Sequence, residues 1–391
     1  MRPTPPPMDT AQLCSALSLR DLTDPAQGPH AMQVLLGHLV TALAARWGCE
    51  VRVRRALPVV SARDNYDRLY YPPDGVARDA RYTRWLGRDV LLRTQTSAVI
   101  PPALDELAGD PGWRDVLLVC PGLVYRRDCI DRHHVGEPHQ VDLWRIRRGT
   151  ALERGDVNAM AGAVAGAALP GWRIRTIDAE HPYTVGGIQI DAANGGEWIE
   201  IGEGGLAEPR LLADTGHDSG VTSGLAMGMG LDRLLMLRKG IPDIRLLRAD
   251  DPRIAEQLGD LAPWRPVSSM PPVRRDLSIA VDADDRAEDL GDAVRAALGA
   301  RAGAVEAVEV RAETPYESLP EPARARLGIA PGQKNLLVRV VLRDLERTLT
   351  SAEANELRDA IYAALHRGSA HQWARERDEP GDERGRPGGS E

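Results

Sequence analysis

Three glycines, an arginine and a following helical pattern make residues 221–245 the stretch of this chain best suited to holding a phosphate. The sequence there reads VTSGLAMGMGLDRLLMLRKGIPDIR, with Gly224, Gly228 and Gly230 ahead of Arg233, which lies just inside an amphipathic helix. Glycine lets a ligand approach the backbone closely, a helix N-terminus favours anions, and a guanidinium matches phosphate oxygens. The spacing therefore predicts an anion site, although glycines that serve only packing give the same pattern in many folds.

Polar side chains also recur along two segments that the sequence predicts to be strands. Residues 139–146 (HQVDLWRI) place Gln140, Asp142 and Trp144 on one face, because strand side chains alternate. Residues 188–205 (IQIDAANGGEWIEIGEGG) predict a hairpin across a glycine-rich turn. The hairpin ends in a segment of alternating glutamate and glycine.

Other elements must hold these segments in place. Residues 30–47 have the apolar spacing of a helix, and residues 50–60 and 116–128 are predicted as strands. Residues 90–99 (VLLRTQTSAV) predict a strand that runs into the start of a helix, with Thr94, Thr96 and Ser97 able to cap it.

The order of elements predicts an α+β fold, an antiparallel sheet with flanking helices, because the strands follow one another with few crossover helices. A polar segment at residues 248–266 is expected to be a linker. The chain beyond it reads strand, helix, strand, strand, helix, which is the order of a ferredoxin-like unit. Ser351 is expected to cap the last helix, at residues 351–365.

Composition narrows the function classes. The chain has 391 residues, enough for two or three domains, and a net charge of −8, so it has no overall basic surface for nucleic acid. Its four cysteines form no Cys-x-x-Cys pair, which indicates structural thiols in a reducing compartment. It has no long apolar run and no recognisable targeting segment, so we expect a cytoplasmic protein without membrane contact. It also contains no phenylalanine, so other large side chains must fill the core.

Taken together, these motifs resemble phenylalanyl-tRNA synthetase of the single-chain, mitochondrial type, over roughly residues 29–368. NYDRLYYPPDGVARD and LLRTQTSAV resemble that family's first motif and substrate-proximal loop. PGLVYRRDCIDRHHVGEPHQVDLW resembles motif 2, and GEWIEIGEGGLAEPRLL with GLAMGMGLDRLLMLRKGIPDIRLL resembles the acidic strand and motif 3. The segment from VRRDLSIAV to ELRDAIYAAL resembles the ferredoxin-like anticodon-binding domain.

The resemblance implies a domain order and two partners. It implies an N-terminal extension that is partly disordered (1–27), a class II catalytic core (28–247), a linker (248–264), an anticodon-binding domain (265–370) and a disordered tail (371–391). The partners would be an aromatic amino acid and tRNA, bound at its acceptor end and its anticodon region. The state of assembly, monomer or homodimer, stays open.

The resemblance also implies ATP and Mg²⁺ as cofactors and gives roles to five residues. Arg126 should bridge the substrate carboxylate and the α-phosphate, and Arg233 should hold the γ-phosphate. Glu200 is implied to hold Mg²⁺, which prefers carboxylate and phosphate oxygens. Asp128 is placed to read the adenine amino group, and Pro138 stands where the family stacks a phenylalanine on adenine.

The implied amino-acid pocket departs from the family pattern. Residues matched to it are Gln95, Ser97, Gln140, Asp142, His181, Tyr183 and Ala226. Gln95 replaces a histidine and Asp142 a glutamate. His181 and Tyr183 stand where the family has the two rings of Phe-Pro-Phe. Ala226 matches the small residue at the base of the ring pocket.

Three interpretations follow from this mixture of retained and altered residues. The first is that the enzyme has kept phenylalanine as its substrate while near-equivalents replaced its own phenylalanines. The second is that it serves a modified aromatic amino acid in a specialised pathway. A non-catalytic tRNA-binding paralogue is the third interpretation, and the joint presence of Arg126, Glu200 and Arg233 argues against it.

Overall fold

A computed structural model of the chain describes residues 7–75, 78, 83–127, 129–267, 270–345 and 347–371. These residues divide into two compact units. The first comprises the chain up to Met270 with a short segment at Leu345 and Arg347, and the second begins at Pro271. The expected disordered tail falls almost wholly outside the described residues, as does the predicted adenine contact Asp128.

The first unit contains both helices and strands. Its helices are α1 (Thr10–Leu17), α2 (Ala31–Trp47), α3 (Ala62–Asn65), α4 (Ile100–Ala108), α5 (Arg154–Ala168), α6 (Pro209–Asp214), α7 (Leu231–Lys239) and α8 (Pro252–Gln257). Its strands are β1 (Glu50–Val53), β2 (Val59–Ser61), β3 (Arg84–Trp85), β4 (Val90–Leu92), β5 (Asp115–Leu123), β6 (His139–Arg148), β7 (Arg173–Asp178), β8 (Thr184–Ala193), β9 (Ile199–Ala207) and β10 (Thr222–Gly230).

A large sheet organises the first unit. Within the described residues, seven strands run in the order β1-β5-β6-β10-β9-β8-β7, and every pairing is antiparallel except that of β1 with β5. The prediction of an α+β fold with an antiparallel sheet is thereby confirmed. Strands β2, β4 and β3 form a small separate sheet.

The register of the central strands brings distant residues into one row. Asp142 on β6 pairs with Gly228 on β10, and Gly228 pairs in turn with Glu203 on β9. Directly paired residues in a sheet point their side chains to the same face. Two carboxylates therefore flank a residue that has no side chain, and a Cβ added at Gly228 would meet nothing within 4 Å.

Apolar side chains cover both faces of this sheet. One face carries Leu117, Val119 and Val141 with residues of α2, α5 and α7, and the other carries Leu118 and Trp144 with residues of α4. The largest fully buried side chains include Trp113, Trp144, Tyr66, Tyr125 and Tyr362. Tryptophan and tyrosine thus occupy the core of a chain that has no phenylalanine.

Several local expectations are corrected by the structure. The predicted strand at residues 50–60 is two strands, β1 and β2, which lie in different sheets on either side of Pro58. Gly224, Gly228 and Gly230 precede the helix that carries Arg233, as predicted, and they lie in strand β10, with the helix beginning at Leu231. Gly224 is needed there for packing, because an added Cβ would lie 2.9 Å from the side chains of Ala207 and Ile146.

The expected cap at residues 94–97 is also wrong. A 3-10 turn at Thr96–Val99 leads into α4, and no side chain caps it. The hydroxyls of Thr96 and Ser97 bind the Asp142 carboxylate instead. A buried carboxylate gains more from these donors than the first turn of a helix does, because an unpaired buried charge is costly.

The second unit has the expected ferredoxin-like elements. Its elements are β11 (Val273–Asp282), α9 (Ala287–Leu298), β12 (Val305–Pro315), α10 (Glu321–Leu327), β13 (Gln333–Leu342) and α11 (Ser351–Leu365). The described strands pair in the order β11-β13-β12. Helix α11 is capped by Thr350, whose hydroxyl accepts from the Glu353 amide, and not by Ser351 as predicted.

The predicted linker region carries structure of its own. Helix α8 lies within it, and Ile254 and Leu258 are buried against the core of the first unit. The Lys239 ammonium donates to the carbonyls of Asp260 and Ala262. In the part of the chain that the structure describes, no helix is long and apolar enough to cross a membrane.

Candidate active site

A cavity of about 560 Å³ opens on the face of the sheet that carries the Asp142–Gly228–Glu203 row. Nine residues singled out from the sequence line it, namely Gln95, Ser97, Arg126, Pro138, Gln140, Asp142, Tyr183, Glu200 and Arg233. These residues come from five separated segments, so the fold gathers the predicted phosphate and amino-acid groups around one space.

Asp142 lies at the closed side of the cavity, only 2% exposed. Its carboxylate accepts hydrogen bonds from Thr96 Oγ1 at 2.7 Å, Ser97 Oγ at 3.0 Å and Trp144 Nε1 at 3.0 Å. Burial raises the pKa of Asp142 above its ordinary value, and these three donors oppose the rise. The result is a buried acidic group with a fixed orientation, which suits an ammonium partner.

Tyrosine rings form the neighbouring wall. Tyr71 donates its hydroxyl to Gln95 Oε1 at 2.8 Å, and its ring lies 6.1 Å from that of Tyr183. Tyr183 stacks on Trp144 with ring centroids 5.9 Å apart, and its hydroxyl bonds with Ser97. Burial raises the pKa of Tyr183 well above its ordinary value, so its hydroxyl stays protonated.

Two residues predicted for the ring pocket do not line the cavity. His181 Nε2 lies 2.7 Å from the Glu203 carboxylate, and it is Glu203 that faces the cavity. Ala226 is 1% exposed and belongs to the core cluster against which Tyr183 packs.

The predicted phosphate residues meet on the other side of the cavity. Arg233, in the first turn of α7, donates from Nη1 to the Glu200 carbonyl at 3.2 Å, and its Nη2 lies 3.3 Å from His134 Nε2. Both Arg233 and Arg126 act electrostatically on the Glu200 carboxylate. The pKa of Glu200 is nevertheless raised, first by desolvation and then by the nearby Glu203 carboxylate. Two cationic side chains and two carboxylates thus share this region.

These carboxylates fit a hard divalent cation. Glu200 and Glu203 offer oxygen donors on β9, and the charge of Glu203 disfavours ionisation of Glu200. A Mg²⁺ ion would relieve that repulsion, since it takes one or two carboxylates together with substrate phosphates.

The structure adds a buried pair that the sequence reasoning missed. His139 and Asp232 are joined twice, through the backbone amide of His139 and through its Nδ1, which lies 3.0 Å from Asp232 Oδ1. Burial opposes ionisation of Asp232, yet pairing with His139 keeps the pKa of Asp232 below its ordinary value. The sequence did hold a signal for this pair, because each member directly precedes a predicted site residue. His139 precedes Gln140, and Asp232 precedes Arg233.

Family comparisons match both units. The family described as "tRNA synthetases class II core domain (F)" matches residues 36–258, which is more than half of the chain. The chain belongs to the class II aminoacyl-tRNA synthetases. A second family, "Ferredoxin-fold anticodon binding domain", matches residues 268–371. The synthetase is therefore an aminoacyl-tRNA ligase whose ferredoxin-fold unit follows its catalytic core.

Several curated relatives of the synthetase are phenylalanine–tRNA ligase alpha subunits. The phenylalanine–tRNA ligase alpha subunit of Prochlorococcus marinus strain MIT 9313 is 34% identical over 244 residues, which is 61% of this chain and 69% of that protein. The alpha subunit of strain NATL2A is 37% identical over 195 residues, 49% of this chain and 56% of that protein. This match spans little more than half the length of its relative.

Solved structures include the pyrrolysyl-tRNA synthetase of Desulfitobacterium hafniense. It matches with a TM-score of 0.43 and 20% identity, over 57% of this chain and 74% of that one.

Two arginines and a tyrosine of the second unit make contacts within that unit. Arg339 makes a two-pronged ion pair with Asp276 at 2.8 Å, and Arg275 donates to Asn355. Tyr362 is 2% exposed and stacks on His366 with ring centroids 4.8 Å apart. These side chains therefore stabilise the fold of the unit.

Proposed function

We propose that the synthetase activates phenylalanine with ATP and transfers it to tRNA(Phe). The observation that carries the proposal is one cavity lined by Arg126, Arg233 and Gly228 together with the buried carboxylate of Asp142. An amino acid has an ammonium and a carboxylate on one carbon, and ATP brings a chain of phosphates. This cavity offers a carboxylate for the ammonium and two guanidinium groups for the carboxylate and the phosphates.

The proposed reaction has two steps. In the first, the amino-acid carboxylate oxygen attacks the α-phosphorus of ATP, and the bond to the β-phosphate oxygen breaks to release pyrophosphate. In the second, a terminal hydroxyl of tRNA attacks the acyl carbon, and AMP leaves with the electron pair of the acyl–phosphate bond. Both steps depend on positioning and on compensation of developing negative charge.

Each residue has a role in this scheme. Asp142, oriented by Thr96, Ser97 and Trp144, holds the substrate ammonium with help from Gln140. Arg126 stabilises negative charge at the α-phosphate, and Arg233 holds the terminal phosphate. A guanidinium suits this task because it stays charged and binds two oxygens at once.

ATP and Mg²⁺ are the proposed cofactors. Glu200 would hold Mg²⁺, with Glu203 close by. When bound, the ion neutralises phosphate charge.

We also propose that this is the single-chain type of the enzyme. Support comes from the presence of a class II core and a ferredoxin-fold anticodon-binding domain on one chain. The domain boundaries at residues 28–247 and 265–370, the assembly as monomer or homodimer, and the cytoplasmic location remain predictions.

Charging of purified tRNA tests the proposal. The full chain should attach phenylalanine to a tRNA(Phe) transcript and not to a tRNA(Tyr) transcript. Charging of tRNA(Phe) with a different natural amino acid in preference to phenylalanine would contradict it.

A modified aromatic amino acid is a second candidate substrate. The observation in its favour is the polar wall beside Asp142, where Tyr71, Gln95 and the Glu203–His181 pair present hydrogen-bonding groups. A buried polar group gains most from a substrate that pairs with it. A ring hydroxyl on the substrate, as in meta-tyrosine, would be such a partner.

A competition assay separates the two candidates. Equal concentrations of phenylalanine and meta-tyrosine are offered with ATP and tRNA(Phe), and the charged products are identified by mass spectrometry. A preference for phenylalanine supports the first candidate, and a preference for meta-tyrosine supports the second.

A further inference from the structure

A cysteine, an aspartate and a histidine converge beside the cavity on the segment between β5 and β6. Cys129 Sγ, an Asp131 carboxylate oxygen and a ring nitrogen of His134 all lie within 4.8 Å of one another. Among the described residues this is the one group of three such side chains with that spacing. None of the roles proposed above uses Cys129 or Asp131.

Hydrogen bonds within the segment hold the Asp131 carboxylate. Its Oδ1 accepts the backbone N–H of His133 at 2.6 Å, which fixes the turn, and also lies 2.9 Å from His134 Nδ1. Its Oδ2 lies 2.8 Å from His134 Nδ1 and 3.6 Å from Cys129 Sγ. Ile130 lies between Cys129 and Asp131 and is only 7% exposed, so its buried side chain anchors the segment. Sulfur, nitrogen and oxygen donors therefore surround one point on a segment held by its own turn.

We propose that Cys129, Asp131 and His134 bind a borderline divalent transition-metal ion such as Zn²⁺. Thiolate, imidazole and carboxylate are the ligands that Zn²⁺ takes at about 2.0–2.3 Å, a range that puts neighbouring donors roughly 3–4 Å apart. The separation of 3.6 Å between Cys129 Sγ and Asp131 Oδ2 falls within that range, and the hydrogen-bonded pair of Asp131 Oδ2 and His134 Nδ1, at 2.8 Å, needs to open only slightly to reach it. Three protein ligands leave a fourth position for water.

The proposed ion differs from Mg²⁺ in its ligands and in its place. Mg²⁺ takes oxygen donors and avoids thiolate. The carboxylates proposed for Mg²⁺ lie on β9, whereas these three donors lie on the segment that precedes β6. The Arg233 guanidinium lies next to Nε2 of His134, which is the ring nitrogen away from Asp131. The charge of Arg233 therefore does not occupy the position between the three donors.

Binding would shift protons in a defined way. The Cys129 thiol loses its proton to solvent, because the thiolate is the ligand. His134 binds through Nδ1 and must carry its proton on Nε2. In the metal-free arrangement Nε2 is the partner of the Arg233 guanidinium, at 3.3 Å. An ion bound at Nδ1 would therefore remove the Nε2 acceptor from Arg233. The His134 imidazole couples the metal site to the cavity in this way.

Cobalt substitution tests the site directly. The full chain, freed of any histidine tag and kept in excess Mg²⁺, is titrated with Co²⁺ while near-ultraviolet absorption is recorded. Thiolate coordination gives a sulfur-to-cobalt charge-transfer band that oxygen ligands do not give. We expect a band that saturates at one Co²⁺ per chain and disappears when Zn²⁺ is added.

Two variants decide which residues are responsible. Cys129→Ser should lose the band and bind Zn²⁺ at least tenfold more weakly, while Cys14→Ser, at an exposed cysteine of α1, should keep both. Zn²⁺ should also protect Cys129 of the unaltered chain from alkylation, as mapped by mass spectrometry, which needs no variant to fold. No band in the unaltered chain, a band that survives Cys129→Ser, or alkylation of Cys129 unaffected by Zn²⁺ would overturn the proposal.

Discussion

At the scale of single residues, the candidate site depends on arginines whose side chains are oriented by contacts with residues far away in the sequence. Arg233 lies in the first turn of α7, as the sequence predicts. Its side chain lies near Glu200 on β9, a strand that is distant in the chain. Its other neighbour, His134, comes from a third segment. The charge of Arg233 is thus directed into the cavity by neighbours on β9 and on the segment before β6.

Arg233→Ala should reduce amino-acid-dependent ATP–pyrophosphate exchange by about 10²–10³-fold, the usual loss when one preorganised charge or donor is removed from a reacting centre. The matched control is Arg238→Ala on the same helix, whose guanidinium donates to the Ala168 carbonyl outside the cavity. Kcat and KM are measured for both variants. Equal losses in the two variants would contradict the assignment.

Tyr183→Phe tests what the ring pocket takes. The change removes a hydroxyl that bonds with Ser97 and keeps the ring that stacks on Trp144. If phenylalanine is the substrate, its kcat/KM should stay within about threefold, because the lost hydrogen bond does not involve the substrate.

Tyr362→Phe in the second unit is the matched control for that change, since Tyr362 is also buried and stacked. A tenfold or larger loss for phenylalanine in Tyr183→Phe alone, with meta-tyrosine less affected, would move the function to the second candidate substrate.

At the scale of elements, much of the fold was predictable because local patterns set it. Helix α2 follows the apolar spacing of residues 30–47, and α11 follows that of residues 351–365. The break between β1 and β2 and the row formed by Asp142, Gly228 and Glu203 were not predictable. Strand β10 pairs with β6 and β9, which lie far from it in the sequence, so no tight turn fixes the register of these pairs.

The start of α2 holds a buried histidine whose neutrality has a consequence for stability. His30 is 5% exposed, accepts the Met32 amide at Nδ1 and lies 3.3 Å from the Leu247 carbonyl at Nε2. Burial, then the charges of Arg20 and His139, lower the pKa of His30 from 6.5 to about 4. Between pH 6.5 and 4, His30 is therefore mostly neutral in the folded chain and mostly protonated in the unfolded chain.

Stability should accordingly fall as the pH drops from 6.5 to 4, by at most about 3 kcal/mol from this group. Above pH 6.5 His30 is neutral in both states and contributes no pH dependence. Urea unfolding of the unaltered chain and of His30→Asn, which keeps a capping acceptor, is compared at pH 7.5 and 5. The variant should lose less stability on acidification, and identical losses would show that His30 is not the group responsible.

At the scale of the whole molecule, the family was predictable and the substrate was not. Motifs in the right order identified the class II core and the ferredoxin-fold unit, and both family matches agree with them. The pocket is different, because His181 pairs with Glu203 and Tyr183 packs against the core cluster that contains Ala226. Such contacts follow from packing between strands, so residue types alone could not give them.

Amino-acid-dependent ATP–pyrophosphate exchange by the purified full chain is the most direct test of the central claim, that this cavity forms an aminoacyl-adenylate. The chain is offered phenylalanine, tyrosine, meta-tyrosine and further aromatic analogues in turn, with ATP and Mg²⁺. We predict exchange that depends on an aromatic amino acid, with the highest kcat/KM for phenylalanine. Exchange with none of them, by a chain shown to be folded, would contradict the claim.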